Sequence, residues 1–117
     1  MGLKLLVSLS LASSALAASQ QLWFTAFSGA FSTFNFDGTK LKNVSTSLDA
    51  GFEPGWISKH PLLNVLYTPS RGEGGVHAWT YDTKGKVTKI ASGRTNGKDA
   101  LHCEVSGDGK TLAVPNM

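Results

Sequence analysis

The sequence predicts an all-β protein, the opening part of a β-propeller, and three observations carry that reading. First, a unit recurs about 46 residues apart: Phe34-Asn35-Phe36-Asp37 lies over Trp79-Thr80-Tyr81-Asp82. Each copy runs through a Gly/Lys/Thr turn into a second strand, Lys40–Val44 in one and Lys86–Ile90 in the other. Further along, Gly51, Trp56 and Leu66 fall over Gly97, His102 and Leu112 without a gap. Second, short alternating segments are separated by turn residues at roughly eight- to twelve-residue spacing. Third, beyond the first residues no segment has apolar residues at helical spacing. A period of about 40 to 50 residues with several strands per unit is the pattern of one four-stranded blade per repeat. A β-sandwich is the main rival, but a sandwich does not require its second half to echo its first. Blades bury their faces against neighbouring blades, so about three repeats are needed for stability. This chain holds roughly two and is expected to be the front piece of something longer.

The elements follow in order. Residues 1–17 read as a secretory signal: Lys4, the apolar run Leu5 to Leu11, then the small-residue site Ala15-Leu16-Ala17. The apolar run is shorter than the ~20 residues that span a bilayer, so a secreted chain beginning near residue 18 is expected, with no membrane partner. Leu22 to Phe27 is a predicted strand, broken at Ser28-Gly29. Phe31 to Phe36 is the next, and Asp37-Gly38 marks a hairpin turn. Leu41 to Leu48 follows, ended by Asp49, Gly51 and Pro54. Trp56-Ile57-Ser58 opens the second unit, with a His60-Pro61 turn, then Val65 to Thr68 and a loop from Pro69 to Gly75. Val76 to Asp82 and Lys86 to Ala91 form a second hairpin around Lys84-Gly85. Leu101 to Val105, the turn Gly107-Asp108-Gly109 and Thr111 to Val114 open a third unit.

Charge and cysteine content exclude several functions. Without Lys4 the chain carries ten Lys and Arg against eight Asp and Glu, scattered along its length. Nothing resembles a nucleic-acid footprint. The single cysteine, Cys103, cannot form an internal disulfide. No phosphate-cradling glycine loop leads into a helix. Neither CxxC nor HxxxH spacing is present, so no metal or cofactor is expected. Asn43-Val44-Ser45 matches the N-glycosylation acceptor pattern on a predicted outer strand, which makes Asn43 a candidate glycan site.

The run Glu53-Pro54-Gly55-Trp56-Ile57-Ser58-Lys59-His60-Pro61, followed by Leu66-Tyr67, resembles the lactonase family of seven-bladed β-propellers. So does Leu101-His102-Cys103-Glu104-Val105-Ser106-Gly107-Asp108-Gly109-Lys110-Thr111-Leu112, ending Val114-Pro115-Asn116. That family includes propeller-type 6-phosphogluconolactonase and carboxy-muconate cyclase. The resemblance implies units that start at the channel and step outward, with Trp56 and His102 on innermost strands. It also implies a first blade closed by a strand from the far C-terminus, and a small carboxylate or lactone substrate that is hydrolysed or formed. A full-length ring of this type is expected to be a monomer, and these residues alone to be inactive. A secretory signal fits poorly with 6-phosphogluconate chemistry, which is cytosolic.

His102 and Glu104 are the candidate catalytic pair. Two apart on a strand, they share a face, while Cys103 points the other way. An imidazole beside a carboxylate suits proton transfer, the carboxylate raising its affinity for the proton. The bland alternative is that His102 bonds a neighbouring blade. Trp56 is a candidate substrate platform, although large aromatics in blade repeats commonly pack. Arg71, in its Gly-rich loop beside Glu73, offers a planar fork for an anionic substrate, or stays a solvated loop charge. Cys103 reads as a buried small hydrophobe. His60 and His77 show no partner in the sequence. Two other readings stand beside the enzyme: a secreted non-catalytic binding propeller, and an inactive truncated product.

Overall fold

The computed structural model describes residues 19–117, and the predicted leader, residues 1–17, lies outside them. Nine strands follow in chain order, without helix among the described residues. β1 (Gln20–Ala26), β2 (Ala30–Phe36) and β3 (Leu41–Ser47) form a three-stranded antiparallel sheet in sequential order. β4 (Ser58–Lys59), β5 (Val65–Ser70), β6 (Gly75–Tyr81) and β7 (Val87–Arg94) form a four-stranded meander. β8 (Glu104–Val105) and β9 (Leu112–Ala113) pair as the start of a third sheet. The arrangement is a partial propeller, as the repeat predicts.

The repeat extends to irregularities. β3 carries an extra residue opposite Thr33/Phe34, and β7 carries one opposite Ala78/Trp79. These bulges, at Val44 of β3 and Ile90 of β7, lie 46 residues apart and twist both sheets at matching places. The β2–β3 and β6–β7 turns match as well. Asp37 Oδ1 accepts from the amides of Thr39 and Lys40, and Asp82 Oδ1 from those of Lys84 and Lys86. In each, an aspartate replaces a backbone acceptor and so terminates the strand.

The core lies between the first two sheets. Phe31, on β2, meets Trp79, on β6, edge to face at 5.0 Å. Leu66, Val87 and Ala50 close round them, all buried. Trp79 is buried with its N–H paired, Thr68 Oγ1 accepting that proton at 2.9 Å. Trp23 packs against Tyr81 at the margin.

Two details differ from expectation. The loop predicted for Pro69 to Gly75 is only four residues long, because β5 runs through Pro69 to Ser70 and β6 begins at Gly75. Proline is tolerated there because β4 pairs only with Leu66 and Tyr67, so no rung on that side is lost. The first strands of the second and third units are also shorter than predicted. Trp56 and His102 lie two residues ahead of β4 and β8 respectively, in the segments that lead into them.

The turns sort into two rims. At one, the linkers after β3 and β7 meet the β1–β2 and β5–β6 turns. Ala50 N–H donates to Gly29 C=O, Gly72 N–H to Phe52 C=O and Thr95 N–H to Gly74 C=O. At the other, His60 Nε2 lies 3.1 Å from Gly109 C=O while its Nδ1 accepts from the amides of Leu62 and Leu63. Nδ1 therefore carries no proton, and Nε2–H staples the β4–β5 turn to the β8–β9 turn.

Candidate functional site

Trp56 and His102 are repeat equivalents, and the structure brings them together. Their rings lie 4.3 Å apart, tilted by 52°. The pairing is built by the strands that follow. Trp56 Nε1–H donates to Ser58 Oγ at 3.2 Å, and Ser58 Oγ–H donates to the carbonyl of Cys103. That chain ties β4 to the approach of β8 and holds the indole against the imidazole. Ser58 was not legible as part of the site, since one serine in a short strand carries no signal of its own.

Glu104 Oε2 lies 3.6 Å from His102 Nε2, so the two side chains share a face as their spacing predicts. Both are open to water, with side-chain exposures of 41% and 70%. Cys103, between them, points inward and is fully buried, its Sγ 3.6 Å from the carbonyl of Tyr67. Burial pushes its thiol pKa up, against a smaller opposing pull from hydrogen bonding with Ser58. A neutral, enclosed thiol is not a nucleophile. The cluster thus presents the His102 imidazole, the Glu104 carboxylate and the half-exposed Trp56 indole to water.

Arg71 takes a different place. Its Nε–H donates to Asp99 Oδ1 at 3.0 Å, and Nη1 lies 3.6 Å from Glu53 Oε2. Hydrogen bonding and charge from Asp99, with Glu53 adding to them, push the guanidinium pKa further up. Glu53 and Asp99 stand 46 residues apart and share a left-handed backbone, φ 54° and 52°. Arg71 thus clamps the same point of two successive linkers. The spacing of the two acids was visible in the sequence; their common partner was not.

The remaining candidates are placed as follows. Asn43 is exposed on β3, its Nδ2 donating to Thr46 Oγ1 at 3.0 Å. His77 is buried, with Nδ1 2.8 Å from Ser92 Oγ. Its Nε2 comes within 3.3 Å of Glu73 Oε2 but is not aligned for a hydrogen bond. Among the described residues no group of three or more His, Cys, Asp or Glu side chains could hold a metal.

Sheets repeating at this period, with equivalent aromatic and imidazole side chains gathered ahead of adjacent first strands, define a partial β-propeller. The chain belongs to the lactonase family of seven-bladed β-propellers: the family model described as "Lactonase, 7-bladed beta-propeller" matches residues 21–116. No curated protein matches. Among solved structures, a protein from Bacteroides fragilis assigned as a 6-phosphogluconolactonase aligns with TM-score 0.68 and 24% identity. The alignment covers 80% of this chain and 28% of that one. Sqt1 of Saccharomyces cerevisiae aligns with TM-score 0.62 and 19% identity over 78% of this chain and 25% of its own. A chain of the Mitotic Checkpoint Complex aligns with TM-score 0.59 and 18% identity, covering 82% and 32%. At these identities the likeness is one of fold. The chain spans between about a quarter and a third of the structures it matches.

Proposed function

We propose that these blades belong to a secreted lactonase-like enzyme that hydrolyses or forms the lactone of a small carboxylate. The observation that supports this most directly is the water-exposed His102–Glu104 pair beside the face of Trp56. Lactone hydrolysis needs a base to activate water, and groups to hold the oxyanion that develops on the carbonyl. His102 serves as the base, and Glu104 orients it and balances its charge once protonated. Trp56 holds the substrate ring. Oxyanion donors come from elsewhere in the assembled ring, because Arg71 already engages two carboxylates. Entry into the secretory pathway by residues 1–17, and glycosylation at Asn43, are parts of the same proposal.

The test is turnover of a panel of sugar and dicarboxylate lactones by the closed ring that contains these blades and by its His102→Ala variant. A general base typically contributes about 10²- to 10⁴-fold, so the variant should lose at least a hundredfold in kcat with KM little changed. Equal turnover by the two proteins refutes the assignment. The half-exposed Trp56 face also suits a non-catalytic ligand platform. That second reading gains if a ring-shaped ligand binds, Trp56→Ala abolishes binding, and no lactone is turned over.

A further inference from the structure

Where the linker after β3 packs on the second sheet, a hydroxyl, an imidazole and a carboxylate stand in a row. His77, on β6, is buried, and its Nδ1 lies 2.8 Å from the Oγ of Ser92, directly opposite on β7. On the other side of the ring, Nε2 comes within 3.3 Å of Glu73 Oε2, in the β5–β6 turn. A carboxylate at that place favours the proton on Nε2, so Nδ1 accepts from the Ser92 hydroxyl. The three groups therefore follow one another as nucleophile, base and orienting acid. Gly51 passes close over the contact of His77 with Glu73, so the linker is part of the same construction.

The repeat supplies an internal comparison. Ser32 and Thr46 occupy the matching rung of the first sheet, and their hydroxyls bond to each other at 2.9 Å. Two hydroxyls are thus enough to fasten these strands. The second sheet places an imidazole where the first has Ser32. Its β5–β6 turn is also one residue longer than the β1–β2 turn, and that turn carries Glu73. As a mere fastening the exchange is costly, because Nε2 is sealed from water yet has no aligned hydrogen-bond partner. A buried polar atom in that state calls for a cause, and catalysis is one.

The hydroxyl side of the row is open. Ser92 is exposed, and with Glu73, His77 and Arg94 it lines a cleft of about 520 Å³. Ser92 and Arg94 are two apart on β7 and so share a face. A permanent cation with several N–H donors therefore stands on the side where the hydroxyl would meet a substrate. From this geometry we propose that Ser92, His77 and Glu73 form a second catalytic site, which hydrolyses esters of small carboxylic acids through an acyl-serine. The site shares no residue with the Trp56–His102 cluster, and all its groups come from the second sheet and its turn.

In the first step Ser92 Oγ attacks the ester carbonyl carbon while its proton passes to His77 Nδ1, and the carbonyl π electrons move onto oxygen. Arg94 holds that oxyanion. Collapse re-forms the carbonyl and breaks the bond to the alkoxy group, which leaves as an alcohol with the proton from Nδ1. Water then attacks the acyl-serine and gives its proton to Nδ1. Ser92 departs with that proton, and the carboxylic acid is released. Glu73 is a positioning residue, keeping the other proton on Nε2 and balancing the imidazolium in both steps.

The test is treatment of the closed ring that contains these blades with a fluorophosphonate, which transfers its phosphonyl group to an activated serine with loss of fluoride. Peptide mass mapping should find the adduct on Ser92. Hydrolysis of p-nitrophenyl acetate gives the rate. Ser92→Ala removes one exposed oxygen, and His77→Ser restores the hydroxyl pair of the first sheet. Each should keep the circular dichroism spectrum and lower hydrolysis by about a hundredfold or more. Glu73→Gln should lower kcat with KM unchanged, and Glu73→Asp should recover part of the loss, a pattern that a purely structural carboxylate does not give. The adduct on the unmodified protein is read without any variant, so the outcome does not depend on His77→Ser folding. No adduct on Ser92 overturns the proposal. So does an adduct formed as fast in His77→Ser, or hydrolysis unchanged by Ser92→Ala.

Discussion

Single residues decide how the two rims close. Gly51, in the linker after β3, has φ +80°, a conformation that costs a side chain roughly 1–2 kcal/mol. Space is the larger constraint. A Cβ there would lie 2.8 Å from His77 Nε2 and 2.9 Å from Glu73 Oε2, and would also run into Ser70 Oγ. Ser70 cannot yield easily, because its hydroxyl accepts from Phe52 N–H and donates to Phe52 C=O. Gly51→Ala should therefore lower stability by about 2–4 kcal/mol, combining backbone strain with overpacking. Urea unfolding followed by tryptophan fluorescence measures this; a midpoint equal to wild type would mean that the linker does not pack on His77.

The hairpin turns act through their carboxylates. Asp37 has a lowered pKa because the amides of Lys40 and Thr39 and the Thr39 hydroxyl bond its charged form. Asp108 is lowered chiefly by the Ser106 hydroxyl and then by the Lys110 amide. Asp49 is lowered chiefly by its bond with Lys89, which joins the first linker to β7. A folded pKa below the unfolded one means that the stabilisation is complete above the unfolded value, about 4. It is lost as pH falls through the lowered folded values. Stability should thus be level from neutral pH to about 5 and decline below about 4. Asp49→Asn should shallow that decline while leaving the neutral plateau lower. Acid titration by circular dichroism reads both, and a decline centred above pH 5 would implicate other groups.

At the scale of the whole molecule, the two sheets share a core and should unfold as one. Phe31 comes from the first sheet, while Leu66, Trp79 and Val87 come from the second. Phe31→Ala removes the ring against which Trp79 packs, at a cost of about 3–5 kcal/mol. Small domains are stable by only about 5–15 kcal/mol, so the variant should lose both sheets together at much lower denaturant. Separate transitions for the two sheets would show that the inter-sheet core does not couple them. The Arg71 clamp works at the same scale, fixing successive linkers by their equivalent acids, Glu53 and Asp99.

The blade pattern, the turns and the family are legible along the chain. Those depend on local chemistry and on spacing: alternating aromatics, Asp at the turns, and a unit that recurs about 46 residues on. The sequence also shows that His102 and Glu104 share a face while Cys103 turns away, since strand geometry makes that a local matter. What meets across units is set by the folded arrangement of the sheets. The tilted ring contact of Trp56 with His102, the bond from Ser58 to Cys103, and the capture of Arg71 by two acids join residues 18 to 46 positions apart. Such contacts depend on how one sheet is rotated against the next. That rotation is set by twist, bulges and core packing together, and no single segment of the chain encodes it.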